Sequence, residues 1–192
     1  MKRYKLIELL FLLLFSIEVN ALNTQERTNL NKLNPNDQAI VLTWLNKSCS
    51  TAEQKEFEKT INAKGSAFDP VFWEAYQLGP TEQEIKKTRA SAISNYRDRI
   101  NWLQKFGDAQ MGKEETKQQL AVTEEQYVER VINNYTNGYK TSALSGLGLV
   151  GNDLRGAELK RIATDPQNPS QTAAQEALKL IVSRNRSRQS LR

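Results

Sequence analysis

The sequence predicts an all-α domain, and three observations predict it. Three capping boxes, Ser50-x-x-Glu53, Thr81-x-x-Glu84 and Thr123-x-x-Gln126, each open a run with apolar residues at helical spacing. Proline and glycine stand where helices start and stop, as in Asn34-Pro35, Asp69-Pro70 and Gly79-Pro80. No series of alternating apolar and polar residues with hairpin turns occurs, so nothing argues for a sheet. About seven or eight helices joined by short loops are expected, in one compact domain.

Taken in order, residues 22–33 are rich in Asn and Thr with little apolar patterning, and read as a flexible lead or a weak first helix. Asn34 and Pro35 then cap a buried helix with Ala39, Ile40, Leu42, Trp44 and Leu45. The Ser50 box opens a helix through Phe57 and Ile61 that should end near Gly65. Asp69-Pro70 starts the next, with Val71, Phe72, Ala75, Tyr76 and Leu78 on its apolar side until Gly79-Pro80. Behind the Thr81 box, Ile85, Ala92, Ile93, Tyr96, Ile100 and Leu103 share one face of a long helix expected to end near Gly107. The Thr123 box precedes Tyr127, Val128, Val131, Ile132 and Tyr135.

The amino terminus has a different character. Lys2, Arg3 and Lys5 precede an apolar run from Leu9 to Ile17, too short for the roughly 18 to 20 residues of a membrane-spanning helix. Val19-Asn20-Ala21 places small residues where a signal peptidase cuts. We expect a signal peptide over residues 1–21, cleavage after Ala21, and a periplasmic or secreted protein. A short amino-terminal core helix is the competing reading, favoured by Glu8 beside the run. Residues 34–182 then form the helical domain and residues 183–192 a basic, disordered tail.

Charge is unevenly placed. Lys179, Arg184, Arg186, Arg188 and Arg192, with no acid among residues 179–192, match the whole formal net charge of +5. The body of the domain is near neutral, so the basic character belongs to the tail. Cys49 is the only cysteine, which excludes an intramolecular disulfide and leaves a half-buried thiol or an intermolecular contact as its readings.

The carboxy-terminal third carries a recognisable pattern. Ala143-Leu144-Ser145-Gly146-Leu147-Gly148-Leu149-Val150-Gly151-Asn152-Asp153 is followed by Leu154 to Ala163, by Asp165-Pro166-Gln167-Asn168-Pro169, and by Thr172 to Ile181. Residues 137–182 resemble HEAT-like helical repeats, in which a helix with an Ala-Leu pair ends in such a turn and a second helix packs back on it. The two Ala-Leu pairs are 34 residues apart. The resemblance implies antiparallel helices in close approach, with small residues at Ala143, Gly146, Ala173, Ala174 and Ala177. Upstream, the capped helices show no matching period.

Several chemistries fall away. Gly146-Leu147-Gly148-Leu149-Val150-Gly151 spells a dinucleotide-binding fingerprint, but that motif works only where a strand turns into a helix, with an acid about 20 residues on. Tyr139 to Ala143 is no buried strand, and Gln171 stands at the acid's place. The chain has no histidine, which removes the commonest general base and metal ligand and every Ser-His or Cys-His pair. With one cysteine, a zinc site would have to be built from carboxylates, so no metal site and no cofactor are assigned.

What is left is binding, or catalysis by carboxylates. Phe68, Phe72, Trp73 and Tyr76 lie within nine residues; Trp73 points off the face shared by Phe72 and Tyr76 and is the aromatic with most to spare for a partner. The expected binding residues are Trp73 and Tyr76, with Arg184, Arg186, Arg188 and Arg192 for an acidic protein partner, an anionic polymer or a lipid. Export disfavours nucleic acid. The expected function is a macromolecule-binding, protein-interaction module. The alternative is a carboxylate-dependent hydrolase of an extracytoplasmic glycan, for which Glu74, among Phe72, Trp73 and Tyr76, is the acid of most interest and Glu124, Glu125 and Glu129 are weaker ones. No catalytic residue is assigned.

Overall fold

The computed structural model of the chain describes residues 27–46, 51–150 and 155–189. The signal segment, the Ser50 box, Cys49 and Arg192 lie outside the described residues. Those described are all-α: α1 (Thr28–Asn31), α2 (Pro35–Asn46), α3 (Thr51–Lys64), α4 (Asp69–Leu78), α5 (Glu82–Trp102), a π-helical turn (Leu103–Gly107), α6 (Asp108–Met111), α7 (Lys113–Leu120), α8 (Glu124–Val150), α9 (Gly156–Thr164) and α10 (Gln171–Gln189). A 3₁₀ turn, Gly65–Ala67, joins α3 to α4. No strand occurs among the described residues. Setting aside the four-residue segments α1 and α6, eight α-helices are described.

Local chemistry fixes the boundaries. Asn34 Oδ1 accepts the Asp37 amide at 3.0 Å and starts α2. Thr81 Oγ1 accepts the Glu84 amide while the Glu84 carboxylate accepts the Thr81 amide at 2.6 Å, a complete capping box on α5. Thr123 and Gln126 exchange the same two bonds at the start of α8. Gly79, at φ +73°, ends α4 in a backbone conformation that side chains disfavour.

The 27-residue α8 is the axis, with α2, α3, α4, α5 and α10 packed on it. Its first half is covered mainly on the side of α5, so Ile85, Ile93, Tyr96 and Ile100 are half-buried there and Ala92 fully so. Its second half is enclosed: Tyr139, Ser142, Ala143, Leu144, Gly146, Leu147, Gly148 and Val150 are all buried. Trp44 of α2 donates its indole N–H to the Ser142 carbonyl at 2.8 Å. Gly148 lies against Ala177 of α10, where a Cβ would come 2.9 Å from the Ala177 Cα. The glycines of the fingerprint at 146 and 148 thus sit inside a helix, with helix rather than strand before them.

Of the two readings of residues 22–33, the weak first helix rather than the flexible lead fits the described part, where Arg27 and Leu30 are each 7% exposed and α1 packs on α4. Two expectations need correction. The tail is helical as far as Gln189. Its helix prolongs the buried stripe of Ala174, Ala177 and Ile181, so Arg184 falls on the inward side and is half-buried. Gly107 does not stop a helix; it lies within a helical run to Met111, and a Cβ on it would come 2.7 Å from the Thr116 side chain. Its small size admits Thr116, and the stop falls at Gly112, φ +89°.

Candidate functional site

The aromatic run on α4 divides by helical geometry. Phe68 and Phe72 are fully buried and meet edge to face, ring centroids 6.1 Å apart. Trp73 and Tyr76, one turn apart, are half-buried, with centroids 5.6 Å apart. Each also carries a cation: the Arg155 guanidinium lies 5.2 Å from the Trp73 centroid and the Lys140 ammonium 5.8 Å from that of Tyr76. Arg155 is held by Asp69, whose carboxylate it meets at 3.2 Å and whose side chain is 4% exposed. Trp73 therefore spends much of its surface within the fold.

Glu74, next in the chain, reaches α1. Its carboxylate accepts the Asn29 amide at 3.0 and 3.2 Å and the Asn29 side-chain N–H at 3.2 Å. Thr28, Asn29, Trp73, Glu74, Gln77 and Arg155 are among the residues around an open cavity of about 320 Å³. Of the other acids named from sequence, Glu124 meets Arg97 at 3.7 Å, and Glu125 and Glu129 are exposed.

Beside this cavity lies a polar cluster that sequence reasoning missed. Arg27 Nη2 donates to Glu84 Oε2 at 2.8 Å and to the Gly79 carbonyl at 3.1 Å, and its guanidinium lies 5.0 Å from the Tyr139 ring centroid. The Tyr139 hydroxyl is buried with no hydrogen-bond partner among the described residues. Burial pushes its pKa well above the usual phenol value, against the opposing pull of Arg27. Tyr135, raised by burial and then by Glu84, donates to Asn46 Oδ1 at 2.7 Å. Arg27 stands 57 residues from Glu84, in a stretch with no helical periodicity, so no local pattern announces the pair.

The arginines expected to bind are spread along α10. Arg184 is half-buried and Arg186 exposed; the Arg188 side chain and Arg192 lie outside the described residues. Arg186 shares an open cavity with Leu178, Lys179, Val182 and Ser183, where Val182 is 48% exposed; Leu180, 44% exposed, lies on another side of the helix. Trp73 and Tyr76 are thus brought together, while the described arginines sit on another element. Leu180 also joins Trp44, Gln54, Glu58, Ser142, Ser145 and Leu149 in lining a cavity of about 290 Å³.

A second apolar surface was legible but overlooked. Trp102 and Phe106 are 43% and 51% exposed, their rings 6.4 Å apart at the π-helical turn. Both fall off the stripe of Ile93, Tyr96, Ile100 and Leu103, and that spacing is the signal that marks them as outward.

Comparison with known proteins adds no relative: no protein-family model, no curated protein and no solved structure matches the chain. The likeness of residues 137–182 to HEAT-like repeats is one of sequence pattern.

Proposed function

We propose that this protein is an exported helical module that binds an acidic protein surface through the outer face of α10. The observation that carries the reading is Val182, 48% exposed, which lines an open cavity of about 530 Å³ with Leu178, Lys179 and Arg186. Apolar groups set beside cations suit a partner offering both contact area and opposite charge. Glu176, which meets Lys179 at 2.6 Å, is the only acid on α10. The hydrolase alternative draws no support from Glu74, whose carboxylate is taken up by Asn29.

Photo-crosslinking tests the proposal. A photo-reactive phenylalanine at position 182 of the full chain, expressed in its own cells, is expected to capture a protein adduct. The same probe at exposed Gln83 on α5 is expected to capture none, and Arg186→Ser together with Lys179→Ser should weaken the position-182 adduct at least fivefold. Identical patterns at 182 and 83, or none at either, would overturn the binding reading. The mass of the protein recovered outside the cytoplasm tests export: a chain starting at Leu22 is expected, and one starting at Met1 would refute it.

A further inference from the structure

The acceptors that surround Arg27 are arranged without its help. Glu84 is fixed by the α5 capping box, where its Oε2 also accepts the Thr81 hydroxyl at 2.8 Å. The Gly79 carbonyl is set by the turn that ends α4, whose own N–H is bonded to the Ala75 carbonyl at 2.9 Å. Tyr139 is held in the enclosed half of α8. These groups come from residues 79–84 and 139, none of them from the segment that carries Arg27. A carboxylate, a carbonyl and an aromatic face around one flat cation are the recognition set of a guanidinium.

A buried tyrosine hydroxyl with no partner among the described residues adds a polar group that the arrangement leaves unused. Alongside, Glu74 takes the backbone and side-chain N–H groups of Asn29, and Leu30 is buried one residue on. The receptacle therefore reads an Arg-x-Asn-Leu sequence: charge at the first position, amide at the third, apolar bulk at the fourth. Only Lys32, Leu33 and Asn34 connect this strap to α2.

We propose that Glu84, the Gly79 carbonyl and Tyr139 form a guanidinium-binding site which the chain fills with its own Arg27, and which takes the arginine of a peptide in trans when the strap is displaced. Arg27 is then a tethered ligand, and the strap an intramolecular competitor. The site is independent of the α10 surface.

The test is chemical rescue of full-length Arg27→Ala. Its melting temperature is expected to fall below that of the wild type, and N-acetyl-arginine amide at millimolar concentration is expected to restore part of the loss with saturation. N-acetyl-lysine amide should restore none, and neither compound should shift the wild type, where the site is filled. The capped tetrapeptide Arg-Thr-Asn-Leu should bind Arg27→Ala at least tenfold more tightly than it binds either the wild type or Arg27→Ala/Glu84→Gln. Equal responses to arginine and lysine amides, or equal peptide affinity for Arg27→Ala and the wild type, would overturn the proposal. If Arg27→Ala does not fold, Arg27→Lys undergoes the same titrations with the same criteria, because an ammonium keeps the charge but not the planar fork.

Discussion

Gly146 of α8 and Phe72 of α4 touch so closely that a Cβ on the glycine would stand 2.7 Å from three atoms of the phenylalanine ring. The ring is fully buried and has no room to retreat. This contact, more than any glycine motif, explains the residue at position 146.

Two glycines on α8 should therefore respond to alanine with opposite signs. Gly146→Ala gains helix propensity but forces the Phe72 ring aside, and a net loss of about 2 kcal/mol is expected. Gly138→Ala, where nothing lies within 4 Å of an added Cβ, should stabilise by about 0.5 to 1 kcal/mol. Urea denaturation of the two variants beside the wild type measures both. A stable Gly146→Ala protein would mean that α4 and α8 are not packed as described.

The contrast shows how far sequence alone reaches. The caps at Asn34, Thr81 and Thr123 were legible because they are local: donor and acceptor lie three residues apart and the pattern names both. The core stripes were legible for the same reason, being periodic. Arg27 with Glu84 and Tyr139, or Arg155 with Asp69 and Trp73, join segments far apart in the chain, and no spacing rule connects them. The tail was misread through composition. A run of arginine and serine suggests a solvated end, yet the stripe at 174, 177 and 181 carries on to Arg184 inside the same helix.

Arg155 is expected to be worth more to the fold than its half-buried position suggests, because Asp69 depends on it. Arg155→Ala leaves a carboxylate with 4% exposure and bares a face of Trp73, with an expected loss of about 2 to 3 kcal/mol. Arg155→Lys keeps the charge but loses the flat stacking, and should fall between the two. Replacing both partners, as in Arg155→Ala/Asp69→Asn, should be less damaging than Arg155→Ala alone. Chemical denaturation at neutral pH gives the four stabilities, and a double variant no more stable than Arg155→Ala would exclude the coupling.

Tyr139 should give the protein a steep alkaline limb. Its phenol is held neutral by burial, so its folded pKa lies above the 10.0 of an exposed tyrosine. Once the pH passes 10, the unfolded chain gives up this proton and the folded chain does not. Stability that is intact below pH 10 is then lost as the pH rises toward the folded value. Tyr139→Phe removes the titrating group together with a hydroxyl that is buried with no partner among the described residues. At pH 7 the variant should be as stable as the wild type, or more stable by up to about 1 kcal/mol. Above pH 10 its advantage should grow by as much as about 1.4 kcal/mol per pH unit. Urea titrations of both proteins at pH 7, 10 and 11 read the difference. A constant gap between the curves would mean that the Tyr139 hydroxyl reaches water.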